Sequence, residues 1–319
     1  MRVTVEGILR TSINHINDHF RKLAENQDML ASGIRVKVPS DDPIATQRIL
    51  RWRKLKGSIE QYERNISTTK IWMNTTESVI SSVRDIMQRV HEMALQGGNS
   101  VVPQGFRDGL AQEVEELLKE VITLANSSVE NNYLFSGHQT DTKPFTENVN
   151  LATGLITSVD YNGDGGQRNV EMAESNPVTI NTLGSNDAND DGVADFAYPA
   201  VFRDANLGID IFDTLISLRD DLSSGNIANI NNFRIPEIES ILENLAQHQA
   251  IIGLKLDAVT LAEDILSKEK IDVTSDIDSN EQADFAKVTS DISYEQTIYQ
   301  ASLISTSRLI QGSLFDLLR

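Results

Sequence analysis

Cysteine is missing from all 319 residues, which excludes disulfides, thiolate nucleophiles and thiolate metal sites. Aromatic side chains are scarce, 6% against 39% hydrophobic residues in all; that balance suits long helices better than one large globular core. No apolar run approaches the roughly 18 residues of a membrane span. The opening Met1-Arg2-Val3-Thr4-Val5-Glu6 has no charged region followed by an apolar stretch, so no Sec-type signal peptide is expected. The patterns G-x-x-x-x-G-K-[ST], G-x-G-x-x-G and G-x-S-x-G are all absent, which removes the common phosphate-loop, dinucleotide and hydrolase signatures.

Positive charge is also in deficit. Twenty-eight basic residues face 47 acidic ones, for a net charge of −19. Residues 1–99 hold 15 basic and 11 acidic side chains; residues 100–319 hold 13 and 36. So acidic a chain is a poor nucleic-acid binder. The asymmetry fits an N-terminal part of one subunit meeting a C-terminal part of another, and equally fits an acidic excess that serves only solubility.

What is present is heptad spacing. Leu9, Ile13, Ile16, Phe20, Leu23 and Leu30 fall on one helical stripe, and Gly33 can end that helix in the left-handed conformation. Pro39-Ser40-Asp41-Asp42-Pro43 reads as a helix start: the Asp42 carboxylate accepts free N–H groups of the first turn and Pro43 has the right φ. From Trp52 and Leu55 through Ile59, Tyr62, Ile66, Thr69, Met73, Thr76, Ile80, Val83, Met87 and Val90 to Ala94, steps of three and four alternate without a break. That spacing predicts a helix of about 60 Å in a coiled-coil-like rod, stopped by Gly97-Gly98. A third helix from about Pro103 carries Leu110, Val114, Leu117, Val121 and Leu124 and turns back as a hairpin.

The texture changes between Gly137 and Gly208. Gly, Asn, Asp, Thr and Pro dominate, and short alternating pairs appear at Val159 and Tyr161, Val170 and Met172, Val178 and Ile180. Asn162-Gly163-Asp164-Gly165 and Ser175-Asn176-Pro177 supply turns, so the segment is expected to be a small β domain of hairpins. Helical spacing resumes at Ile211, Leu215, Leu218 and Leu222. It runs on through Ile238, Leu242, Leu245, Ile252, Leu256, Val259 and Leu266, and a last helix carries Phe285, Ile292, Tyr299, Leu303, Ile310 and Leu317. The fold class is therefore mainly α with an inserted β domain: terminal coiled-coil helices, a long-helix rod or bundle and a small central all-β domain. The expected boundaries are 1–42, 43–136, 137–208, 209–274 and 275–319. The terminal stripes are interrupted by Gln27, Gln296, Thr306 and Ser313; tails of this quality are expected to order against other subunits.

Chemistry-bearing motifs are few. His91-Glu92-Met93-Ala94-Leu95 begins like a helical zinc-protease motif, but Leu95 replaces the second histidine. His15 and His19, four apart, could chelate a metal, although such pairs are more often solvated helix surface. Asp187, Asn189, Asp191, Gly192 and Asp195 match a calcium loop whose twelfth position, a glutamate in the motif, is Tyr198; without that bidentate ligand no metal is assigned. Arg48, Arg51, Arg53, Lys54 and Lys56 form a basic cluster that reads as a solvated face facing acidic neighbours in an assembly. No catalytic residue and no cofactor is expected.

Several stretches together resemble a known family. Leu30-Ala31-Ser32-Gly33-Ile34-Arg35 followed by Pro39-Ser40-Asp41-Asp42-Pro43-Ile44-Ala45 looks like the N-terminal signature of the flagellin superfamily. The prolines on either side of the aspartates make it similar to the family of the third hook-associated protein, the subunits on the filament side of the hook–filament junction. Leu124-Ala125-Asn126 with Tyr133-Leu134-Phe135-Ser136-Gly137 and Pro144-Phe145, then Tyr161-Asn162-Gly163-Asp164, then Tyr299-Gln300-Ala301-Ser302-Leu303 and Ser313-Leu314-Phe315-Asp316-Leu317-Leu318-Arg319, resemble the same family. The resemblance spans the chain and is loose over 146–208.

The resemblance implies a structural subunit of the bacterial flagellum acting as a junction or adaptor ring, without enzymatic activity and needed for filament assembly and motility. It implies an inner tube of terminal helices, outward β domains, and type III export without a cleaved signal peptide to an extracellular site on the flagellum. Implied partners are further copies in a ring, another hook-associated protein, flagellin, and an export chaperone on the C-terminal helix; nucleic acid and membrane are not among them. The expected assembly residues are Ile13, Ile16, Phe20, Leu23, Leu30, Ile292, Tyr299, Leu303, Ile310 and Leu317. Flagellin itself is the nearest alternative, and a calcium-responsive extracellular binding module is an alternative of another class.

Overall fold

The structure is a computed structural model that describes residues 5–187 and 192–317, with side chains described at 7–187 and 192–308. Ile310 and Leu317 therefore have side chains outside the described residues, as do Asn189 and Asp191 altogether. Contacts divide the chain into two compact units, Met1–Ser58 with Lys268–Arg319, and Ile59–Ser267.

The first unit is built on α1 (Val5–Ser32) and α7 (Phe285–Leu317), with the opening turns of α2 (Pro43–Gly97) and the closing turns of α6 (Ile235–Glu281). Helices α1 and α7 pack antiparallel: His19 meets Glu295, and Gly33 O accepts from Ala283 N at 2.9 Å. Helix α1 ends as its sequence predicts, with Gly33 at φ +71° and its N–H on Met29 O at 2.9 Å. A small core of Val36, Ala45 and Ile49 sits beneath the connection to α2.

The second unit holds the remainder of α2, then α3 (Gln104–Ala125), α4 (Ile211–Ser224), the single turn α5 (Ile227–Asn229), a π-helical turn (Ile230–Arg234) and most of α6. The long stripe of α2 is where its spacing puts it. Ile59, Ile66, Thr69, Met73, Thr76, Ile80, Val83, Met87, Val90 and Ala94 are all at most 2% exposed, and Tyr62 is half-buried. A second buried row at Trp72, Val79, Ile86 and Met93 lies beside it. An amphipathic reading misses this row because the helix buries two adjacent seams rather than one. Lys70–Glu263 at 2.7 Å, Arg84–Gln249 at 2.9 Å and His91–Glu239 at 3.5 Å set α2 antiparallel to α6. Helix α3 corrects one detail: Leu118 and Ile122 are buried, whereas the expected Leu117 and Leu124 are only half covered. Its buried face is broad because α4 packs on one side and strands on the other.

Among the described residues, nine short strands lie between α3 and α4: β1 (Ser128–Val129), β2 (Asn132–Tyr133), β3 (Phe145–Val149), β4 (Ile156–Tyr161), β5 (Asn169–Ala173), β6 (Asn176–Thr179), β7 (Leu183–Ser185), β8 (Ala200–Asp204) and β9 (Ile209–Asp210). They form three antiparallel pairs and one three-stranded sheet in which β7 runs parallel to β8. The hairpin expectation holds for the first six strands; the parallel pair departs from it. The turn at Ser175 comes one step earlier than expected. Ser175 takes φ +60°, while Asn176 and Pro177 already belong to β6.

The few aromatics are concentrated here. Phe145 touches Tyr161, Phe202 and Phe212 at ring-centre distances of 5.2, 5.4 and 5.0 Å, and Phe135 meets Phe202 edge-on at 5.0 Å. Phe212 opens α4, so the β core and the helices share side chains. Three polar clamps fasten the insert. Asn126 donates to Phe145 O and accepts from Phe145 N, both at 2.9 Å. Asn244 and His248 of α6 donate to Ala200 O at 3.2 and 3.1 Å. The fully buried Glu115 and Arg219 grip Ile156 from both sides: Glu115 Oε1 accepts from Ile156 N at 3.0 Å, Arg219 Nη1 donates to Ile156 O at 2.7 Å, and the two side chains pair at 2.6 Å. At Gly137, φ is +71° and a Cβ would stand 2.1 Å from Asp164 Oδ1, so only glycine fits.

Candidate assembly interface

The α1–α7 seam is more polar than the apolar stripe of either helix suggests. On α1 a covered row runs through Leu9, Ser12, Ile16, His19, Leu23, Asn26 and Leu30, and on α7 one runs through Val288, Ile292, Glu295, Tyr299, Ser302 and Thr306, with Met29, Asp291 and Ile298 half-covered beside these rows. Both follow alternating steps of three and four, as a two-helix coil requires. His19 Nδ1 and Glu295 Oε2 meet at 2.6 Å, with Lys22 Nζ 4.0 Å from the other carboxylate oxygen. His19 is thus a seam residue, not the solvated half of a pair with His15, which is exposed. The ring of Phe20 touches Tyr299 at 5.8 Å on the edge of the seam.

Of the expected assembly residues, Ile16, Leu23, Leu30, Ile292 and Tyr299 lie in this seam and are only partly covered. Ile13 and Leu303 lie outside it, 45% and 43% exposed, and Phe20 at its edge is 57% exposed. Polar residues share the seam because an apolar stripe wider than one helix contact splits between two faces, of which α7 covers one. Among the described residues of α1, none is fully buried. Half-burial of a Leu or Ile is worth about 1 kcal/mol, on the order of what ordering a single residue costs. The pair has little stability to spare from its own contacts.

The proline-flanked motif has a clear physical task. Asp41 Oδ2 accepts from Lys37 N and Val38 N, each at 3.0 Å, closing the turn before it. Asp42 Oδ1 accepts from Ala45 N at 2.9 Å and caps α2, and its other oxygen accepts from Arg35 at 3.1 Å. These backbone donors hold both carboxyls below the usual carboxylate range, helped at Asp42 by Arg35. Arg35 also donates to Asn280 O at 2.9 Å, Arg35 N to Glu281 O at 2.7 Å, and Arg53 forks onto Glu281 at 2.7 and 2.9 Å. Arg35, held by Asp42, and Arg53 thus join the α1–α2 turn to the α6–α7 turn within one unit.

The remaining candidates are placed as follows. Asp187 is buried, and its Oδ2 accepts from Gly192 N at 2.9 Å, so this carboxylate serves its own loop. Tyr198 is exposed where a calcium loop needs its last ligand. Among the described residues no three His, Asp or Glu side chains gather as metal ligands. His91 faces Glu239. Arg48, Arg51 and Lys54 are exposed, while Arg53 is committed to Glu281.

Comparison with known proteins bears on the same elements. Residues 6–140 match the bacterial flagellin N-terminal helical region. The sequence is 23% identical to flagellar hook-associated protein 3 of Escherichia coli over 99% of both chains. A flagellar filament core protein of Brachyspira hyodysenteriae is 30% identical, over 37% of this chain and 44% of that protein. The fold is shared with the crystal structure of the flagellar junction protein FlgL from Legionella pneumophila, at a TM-score of 0.56 and 17% identity over 74% of this chain and 100% of that one. The chain thus has a start that matches a flagellin-type helical region, is similar to a hook-associated protein along its whole length and shares the fold of a flagellar junction protein.

Proposed function

We propose that the chain is a structural subunit of the bacterial flagellum that joins hook to filament. It is no enzyme and carries no cofactor. It leaves the cell by the flagellar type III route, with an export chaperone on the C-terminal helix, and packs in a ring between another hook-associated protein and flagellin. In this reading segments 1–42 and 275–319 form the inner tube, 43–136 and 209–274 the helical layer, and 137–208 the outer β domain. Ile13, Phe20 and Leu303 face neighbouring subunits, while Ile16, Leu23, Leu30, Ile292 and Tyr299 hold the pair together; Ile310 and Leu317 extend the same stripe.

The observation that carries this reading is the contrast in extent of similarity. Hook-associated protein 3 matches along the full length, whereas the filament core protein matches little more than a third of the chain. The undercovered terminal pair is its structural counterpart, since such a pair calls for neighbours. Immunogold labelling of isolated flagella with antibody against residues 137–208 tests it. A single band of gold where hook meets filament is expected; gold along the whole filament would make the chain a flagellin, and unlabelled flagella would end the flagellar reading.

A further inference from the structure

Helix α6 carries two apolar rows. One, Leu245, Ile252, Val259 and Leu266, is buried within its own unit. The other, Ile251, Leu254, Ala258, Leu261 and Ile265, repeats every three or four residues as a seam does and is exposed throughout, Leu254 to 71%. It is about 21 Å long at 1.5 Å per residue. A helix with a second seam left bare is the helix of a larger bundle, and an apolar strip of this length on a solvated protein marks a contact surface. Asp257 and Asp264, one heptad apart, border the strip. Both are exposed, and among the described residues neither has an ion-pair partner.

The opening turns of α2 present the complement. Ile44, 67% exposed, and Leu50 project to solvent, with Arg48, Arg51 and Lys54 between and beside them on the same face. None of these three cations has an ion-pair partner among the described residues, and the buried Ala45 and Ile49 occupy the opposite face. Each surface has what the other lacks: an apolar strip edged with carboxylates, and apolar knobs edged with cations.

We propose that the exposed α6 strip of one copy is the docking site for the opening turns of α2 of a second copy. Apolar contact between Leu254, Leu261, Ile265 and Ile44, Leu50 supplies the attraction. Pairing of Asp257 and Asp264 with Arg48, Arg51 and Lys54 selects this partner and its orientation. Because the two surfaces differ, the contact is head-to-tail: every docked copy still offers one free strip and one free knob, so the contact propagates into a row or closes as a ring. This deepens the assembly reading above and rests on its claim that copies pack side by side.

The absence of native cysteine makes the test direct. Leu50→Cys and Leu261→Cys are made singly and together in the full chain, and the purified proteins are oxidised at high concentration. The double variant is expected to give a ladder of dimers, trimers and larger species. The two single variants mixed are expected to give dimers only, and each alone monomer. Asp257→Lys with Asp264→Lys should abolish the ladder in the double-cysteine background, and adding Arg48→Asp and Arg51→Asp should restore it, which a merely misfolded variant cannot do. Efficient dimerisation of Leu261→Cys alone would mean that the strip pairs with itself and would overturn the proposal, as would monomer in the mixture or failure of the charge exchange. The readout needs only self-association, so gold missing from the junction would refute the flagellar role and leave this contact standing.

Discussion

The aromatic-cored insert and the terminal helix pair are built by opposite means. Around β3, β8 and α4, Phe135, Phe145, Phe202 and Phe212 are wholly buried, and each polar group that holds the strands to the helices has a named partner. In the α1–α7 pair no described α1 residue is wholly buried, and the covered row of α7 includes Glu295, Ser302 and Thr306. The first region is closed by its own contacts in one copy of the chain; the second leaves much of both helices uncovered. The comparison teaches where a single chain keeps its stability and where its own contacts are thin.

Five sets of substitutions test that contrast, beginning with the largest effect. Phe145→Ala removes the ring at the centre of the cluster and should lower stability by about 4 kcal/mol, read in the melting of the β-bearing unit. Arg219→Met leaves Glu115 charged, buried and half-satisfied, and should cost about 3 kcal/mol; adding Glu115→Leu should recover most of it, since an apolar pair removes the unpaired charge.

His248 supplies a pH test in the same unit. Burial holds its imidazole below the usual histidine range, Lys255 adds to that, and the Ala200 carbonyl and Asp204 oppose it. A depressed histidine favours the folded state while neutral. Its contribution is full above the ordinary histidine pKa of about 6.5 and is lost as pH falls below that through the lower folded value. Chemical denaturation should show stability falling over this range, with a flatter profile for His248→Gln.

The terminal unit should respond weakly in the isolated chain. Asp42→Ala removes the cap of α2 and should lower stability by less than either core substitution, read in chemical denaturation. Phe20→Ala, on the exposed face of α1, should stay within about 0.5 kcal/mol in the monomer and yet prevent incorporation into flagella. An equal loss from Phe20→Ala and Phe145→Ala in the isolated chain would break the comparison.

Periodicity made much of this legible. The run from Ile59 to Ala94 could only be buried as one seam of a long helix, and Asp42 before Pro43 could only be a cap, because both depend on residues near one another in sequence. Gly33 announced the end of α1 for the same reason. The division of the terminal stripes was less legible: Ile13 and Ile16, or Tyr299 and Leu303, look equivalent in the sequence, and only the placement of α7 against α1 separates them.

Local chemistry therefore determined the helices, their caps, the aromatic-poor character of the long elements and the place of the β insert, since each follows from side chains within a turn or two. Tertiary structure alone decided the rest: His19 against Glu295, Glu115 with Arg219 around Ile156, the parallel β7–β8 pair, and the bare second seam of α6. Each of these joins residues far apart in the chain, and which face of a helix is covered is set by what packs against it, a property that helical spacing does not contain.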